Sequence, residues 1–85
     1  MNAIEEYVRK HAQTEDIVQR GSFSYVSLFV TAKDGTVLTG HGFSKYNPND
    51  AQHGMPFSMV RGWMIAEGRA MKDLIAAAMA KAAVG

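Results

Sequence analysis

The dipeptide Asp34-Gly35 constrains this chain most, because it separates two stretches that both read as strand. Residues 22–33 are rich in aromatic and β-branched types, and residues 36–44 continue the pattern on the other side. Asp-Gly between such runs is a strong hairpin signal, since a type I′ turn needs positive φ at both central positions. The expected closing pair is Lys33 with Thr36. That register sets Ala32 against Val37, Val30 against Thr39, Leu28 against His41 and Val26 against Phe43. One face then carries Val26, Leu28, Val30 and Ala32, and the other carries Tyr25, Phe29, Thr31 and Leu38. Phe29 falls opposite Gly40, and a large ring over a strand glycine is a known compensating arrangement. Neither face reads as wholly solvated.

A two-stranded hairpin is rarely stable alone, so other segments must cover it. Residues 2–12 predict a short amphipathic helix, with Asn2 as cap, Glu5 three residues later, and Ile4, Tyr7, Val8 and Ala12 at helical spacing. Residues 14–21 are polar and end in Arg20-Gly21-Ser22, which reads as a break. Residues 45–55 form a loop of turn-forming types, at a length where loops are often functional. Residues 57–83 predict one long helix after Pro56, with Ser58 as cap. Its expected buried stripe is Val60, Trp63, Met64, Met71, Leu74 and Ala78. Gly62 and Gly68 each weaken that helix by roughly 1 kcal/mol relative to alanine.

The expected fold class is therefore α+β, helix–β-hairpin–long helix (α-β-β-α), in a single domain spanning residues 1–85. A chain this short buries only about two-thirds of the surface it exposes when unfolded. A second copy is expected to complete the sheet or its uncovered face, giving a homodimer with Tyr25, Phe29, Leu38 and Tyr46 at the interface.

Chemistry is narrowed mainly by what is missing from the sequence. There is no cysteine, which excludes disulfides, thiolate catalysis and cysteine-based metal sites. His11, His41 and His53 match no metal-ligand spacing, and Ser44 and Ser58 lack a nucleophile-elbow context. Gly40-His41-Gly42 lies inside a strand and opens no helix, so it is no phosphate loop. The acidic pairs Glu5-Glu6 and Glu15-Asp16 are sequence neighbours, and on a helix such neighbours point to different faces. The expectation is a non-enzyme without metal or cofactor, which a concave site uniting His41, Asp50 and Glu67 would overturn. Glu67 stands out because it falls on the apolar stripe of the long helix, where a carboxylate needs a partner. No apolar run approaches the ~18 residues of a membrane span, and the first residues are acidic rather than basic. A cytoplasmic protein with no membrane partner is expected.

The net charge of +1 is unevenly placed, with acid gathered in residues 5–16. Arg61, Arg69 and Lys72 lie along the outer side of the long helix and, with Lys45, form a candidate strip for a phosphate backbone. Tyr25, Phe29 and Tyr46 offer surfaces on which single-stranded bases stack. The other reading of those rings is a dimer core.

Around Gly40-His41-Gly42-Phe43-Ser44-Lys45 the chain resembles double-stranded RNA-binding domains. These run from a glycine-containing strand through a serine-lysine pair into a helix rich in alanine and lysine. The helix–strands–helix order is similar. The sequence shows no clear third strand before the last helix and has only Arg61 near that helix's start, where the family carries a lysine cluster. Gly40, Gly42, Ser44-Lys45, Asn47-Pro48, Asp50, Ala66, Arg69-Ala70 and Asp73-Leu74 also resemble a small family related to a mycobacterial dormancy protein. That family's fold is similar to ribosome hibernation factors, and similar short proteins occur in phages. The likeness covers about residues 36–75 and implies an intertwined dimer with a link to the ribosome.

Together these point to a small non-catalytic binding protein associated with RNA or the ribosome. The alternative is a protein-interaction module, such as a phage-type inhibitor or accessory factor acting on a protein target. It would grip its partner with the aromatic sheet face or the Tyr46–Met55 loop. Near-neutral charge and five methionines between Met55 and Met79 motivate it, since methionine suits adaptable surfaces.

Overall fold

The computed structural model describes residues 2–46 and 59–84. The elements are α1 (Ala3–His11), β1 (Gln13–Arg20), β2 (Phe23–Thr31), β3 (Val37–Lys45) and α2 (Met59–Val84). The three strands form one antiparallel sheet in the order β1-β2-β3. The chain is α+β as expected, with one strand more than the sequence announced. None of the described helices is long and apolar enough to cross a membrane.

The added strand is the polar segment read as a connection. β1 pairs with β2 from Gln13 opposite Phe29 to Arg20 opposite Phe23, with a bulge between Thr14 and Asp16. Only Ile17 and Val18 are apolar in it, so alternation gives no signal. Turn chemistry holds it instead. Gly21 has φ 56° and no other residue of that turn is left-handed, which is the II′ pattern with glycine at the first central position. Gln19 Nε2 donates to the Gly21 carbonyl at 3.1 Å, and Ser24 Oγ donates to Gln19 Oε1 at 2.6 Å.

The hairpin of β2 and β3 closes one residue away from the expected register. Its pairs are Thr31 with Val37, Val30 with Leu38, Leu28 with Gly40 and Val26 with Gly42. Gly35 is left-handed at φ 90° and Asp34 is not, so the turn is not type I′. The Ala32 amide donates to the Thr36 carbonyl at 2.7 Å and the Gly35 amide to the Ala32 carbonyl at 2.9 Å. Asp34 Oδ1 accepts from the Thr36 amide at 2.9 Å. This is the three-residue loop that ends in a left-handed glycine bulge. The extra residue slides β3 by one, and a slip of one flips every side chain to the other face. Gly40 and Gly42 therefore do not lie under Phe29, and Leu38 joins Val30 on the core face.

Both helices pack on that core face. Val8, Val26, Leu28, Val30, Ala66, Ala70 and Leu74 form the buried cluster. A Cβ built on Gly42 would overlap the backbone of Ala66 and Ala70, and one on Gly40 would overlap that of Ala70 and Leu74. α2 thus rests backbone to backbone on β3. This choice rotates α2 away from the expected stripe. Leu74 is buried and Trp63, Met71 and Ala78 are partly buried, but Val60 is 64% exposed and Met64 is 62% exposed. α1 is only nine residues, about 14 Å long, and reaches no further along α2 than the hollow where Arg9 meets Trp63, Met64 and Met71. Asn2 Oδ1 caps α1 by accepting from the Glu5 amide at 2.8 Å, while the Glu5 carboxylate pairs with Arg9 at 3.4 Å.

Candidate functional site

With both helices on one face, no described element covers the other face of the sheet. Its side chains come from the alternate positions: Asp16, Val18 and Arg20 of β1, the odd-numbered residues from Phe23 to Thr31 of β2, and those from Val37 to Lys45 of β3. Phe23 and Phe43 stack diagonally, with centroids 6.1 Å apart and planes at 29°. Tyr25 and His41 stack in the same way at 6.0 Å, and Tyr25 Oη lies 2.6 Å from His41 Nδ1. Such diagonal pairs stabilise a sheet, yet Phe43 remains 60% exposed. Rings left bare beside one another on a sheet mark an interaction surface more often than chance.

Positive charge is placed at one end of this surface, and the Asp16 carboxylate lies further along β1. Phe23 pairs with Arg20 on one side and with Lys45 on the other, so a cation flanks the ring on each neighbouring strand. The sequence singled out Lys45 but neither Arg20 nor Phe23. Sliding the register by one would have found Phe43 and His41, because that slip carries them from the core face to the open one.

Of the other expected cations, Arg69 reaches the edge of β3, and Arg61 and Lys72 lie on the outer side of α2. Arg69 Nη1 donates to the Phe43 carbonyl at 2.8 Å, and Asp73 Oδ2 accepts from the His41 amide at 2.9 Å. Arg61 and Lys72 are exposed and share an arc of about 80° with Arg69, spread over about 16 Å of helix. Lys45 and Arg69 meet at the same end of β3, while Arg61 and Lys72 extend the cationic surface along α2. Tyr25 and Phe29 lie on the open face as expected. Leu38 does not, since the register puts it among the core side chains. Tyr46 follows β3, its amide donating to the Ser22 carbonyl at 2.9 Å.

Of the three groups that would have revived an enzyme, the two described ones, His41 and Glu67, lie apart. His41 is on the open face, whereas Glu67 lines a hollow on the helix side with Arg9, Trp63 and Met71. Asp50, His53, Pro56, Ser58 and the loop beyond Tyr46 lie outside the described residues. Among the described residues no three His, Asp or Glu side chains gather as a metal site. Asp34 is held well below the usual carboxylate range, chiefly by its hydrogen bond from Lys81 at 2.8 Å and then by the Thr36 amide. It belongs to the hairpin turn, away from the aromatic surface. Comparison of the chain with protein-family models, with curated proteins and with solved structures found no match.

Proposed function

We propose that this chain is a small non-catalytic RNA-binding protein, able to reach RNA within the ribosome, and that it acts as a homodimer. The observation that carries this reading is the row Arg20–Phe23–Lys45 beside the exposed ring of Phe43 and the Tyr25–His41 pair. Bases stack on such rings whatever their sequence, at about 1–3 kcal/mol per base, while flanking cations meet the phosphates. Arg61, Arg69 and Lys72 extend the cationic surface past the edge of β3. With a net charge of +1, affinity rests on stacking more than on charge, so its salt dependence is shallow.

The element order supports the resemblance to double-stranded RNA-binding domains, because β1 supplies the strand that the sequence lacked. The family's lysine cluster at the last helix is still absent, which favours the open sheet face as the contact surface and single-stranded RNA as the ligand. The test is fluorescence anisotropy with labelled single-stranded oligoribonucleotides at low salt. Binding is expected, and Phe43→Ser should weaken it by about 10-fold, as loss of one stacked base implies. No binding to single-stranded or structured RNA at low salt overturns the reading. The same bare rings with so little net charge also suit a protein partner. Affinity capture that retains a protein, without RNA, and fails for Phe43→Ser would replace the first reading with that one.

A further inference from the structure

The two edges of the sheet are unlike. On β3 two of the outward backbone groups are already taken, the His41 amide by Asp73 and the Phe43 carbonyl by Arg69. This guards the edge against added strands. On β1 no described residue supplies such a guard. The hairpin bond from Ala32 to Thr36 fixes the alternation, so even-numbered residues of β2 bond to β3 and odd-numbered ones bond to β1. The partners of those odd residues are Asp16, Val18 and Arg20. Ile17 and Gln19 therefore aim their backbone groups outward, and no described residue bonds them.

From this asymmetry we infer that β1 pairs antiparallel with β1 of a second copy, with Val18 on the two-fold axis. The inference rests on the homodimer part of the proposal above and not on RNA binding. Three registers let the outward groups of Ile17 and Gln19 bond across the axis. With Ile17 on the axis, Asp16 faces the partner's Val18. With Gln19 there, Val18 faces the partner's Arg20. Only with Val18 on the axis does Asp16 face the partner's Arg20, at both ends of the pairing. Ile17 and the partner's Gln19 then exchange hydrogen bonds, and Val18 packs on its own copy. The bulge after Thr14 limits the paired stretch to residues 16–20. Beside this edge, on the helix side, Ile17 is 50% exposed and lines a hollow with Met59, Val60 and Trp63. A second copy brings two such hollows together, as an isologous interface requires.

The test is sedimentation velocity of the full chain over a wide range of concentration. The parent should dimerise. Asp16→Arg and Arg20→Asp should each weaken the dimer by at least about 10-fold, as like charges now face each other, and the double exchange should restore it to within about 3-fold. Ile17→Pro removes an outward amide and the half-exposed Ile17 side chain but no bond to β2, so it should yield a monomer with unchanged far-UV circular dichroism. A parent that stays monomeric at every concentration overturns this inference and the homodimer alike. A dimer that ignores the charge exchange, or that the double exchange fails to restore, overturns the β1 pairing and leaves the homodimer standing.

Discussion

Replacing Gly42 with alanine asks whether α2 truly lies backbone to backbone on β3. The new Cβ would lie 2.9 Å from the carbonyl carbon of Arg69, and closer still to Ala66 O and Ala70 N. All three are helix backbone, so no side chain can swing away. α2 must lift by about 1 Å, and a gap of that size forfeits a quarter to a half of the dispersion contact across it. Leu74, Val26 and Leu28 are 0%, 1% and 3% exposed between the helix and the sheet. Each contributes about 1.5–3 kcal/mol by its burial, so the loss is about 1–4 kcal/mol. That agrees with the usual cost of overpacking. A domain of this length has about 4–13 kcal/mol in total. The change should lower Tm by about 12–24 °C if the loss is about 3 kcal/mol. Urea unfolding followed by far-UV circular dichroism measures it. Gly68→Ala is the control, since that position is exposed and nothing lies within 4 Å of the added Cβ. It should stabilise by about 1 kcal/mol. A Gly42→Ala chain within about 0.5 kcal/mol of the parent would refute the packing argument.

Leu74→Ala should cost about 2–5 kcal/mol in the same assay, whereas Met64→Ala, on the same expected stripe but 62% exposed, should stay within about 0.5 kcal/mol in dilute solution. The Asp34 carboxylate should titrate well below the usual carboxylate range when followed by NMR, and Lys81→Met should move it back toward that range. Because the shift is downward, whatever this pair adds to the hairpin is present above the usual carboxylate pKa and is lost as pH falls through the lowered value.

Much of the fold was legible because three signals were local. Asn2 capped α1, the alternation in residues 22–44 marked two strands, and the alanine-rich C-terminal half announced α2. β1 was hidden because its evidence is not periodic. It is held by a left-handed Gly21 and by pairing with β2, and a segment reading Gln-Thr-Glu-Asp-Ile-Val-Gln-Arg has no apolar face to display. The register was missed for a different reason. Asp-Gly fits both the two-residue I′ turn and the three-residue loop with a glycine bulge, and the dipeptide alone does not distinguish them. The missing information lay in small residues that face each other, Gly40 and Gly42 on β3 and Ala66 and Ala70 on α2. Close approach to another backbone was one reading of Gly62 and Gly68, but the surface that makes it is built by these four residues instead.

That surface explains why the open face holds the residues it does. Side chains on a strand alternate with a period of two, so fixing one position fixes all of them. Gly40 and Gly42 must lie under α2, since it is there that a Cβ would meet helix backbone. His41, Phe43 and Lys45 are thereby forced to the opposite side, and β2 follows with Phe23 and Tyr25 through the ladder. The aromatic row is thus a consequence of the close helix–strand contact. The same contact brings Arg69 and Asp73 within reach of the β3 edge, where they occupy two of the groups an added strand would need. What is left for association is the bare face and the β1 edge. Both were obscure in the sequence because each depends on the one parity that Asp34-Gly35 left open.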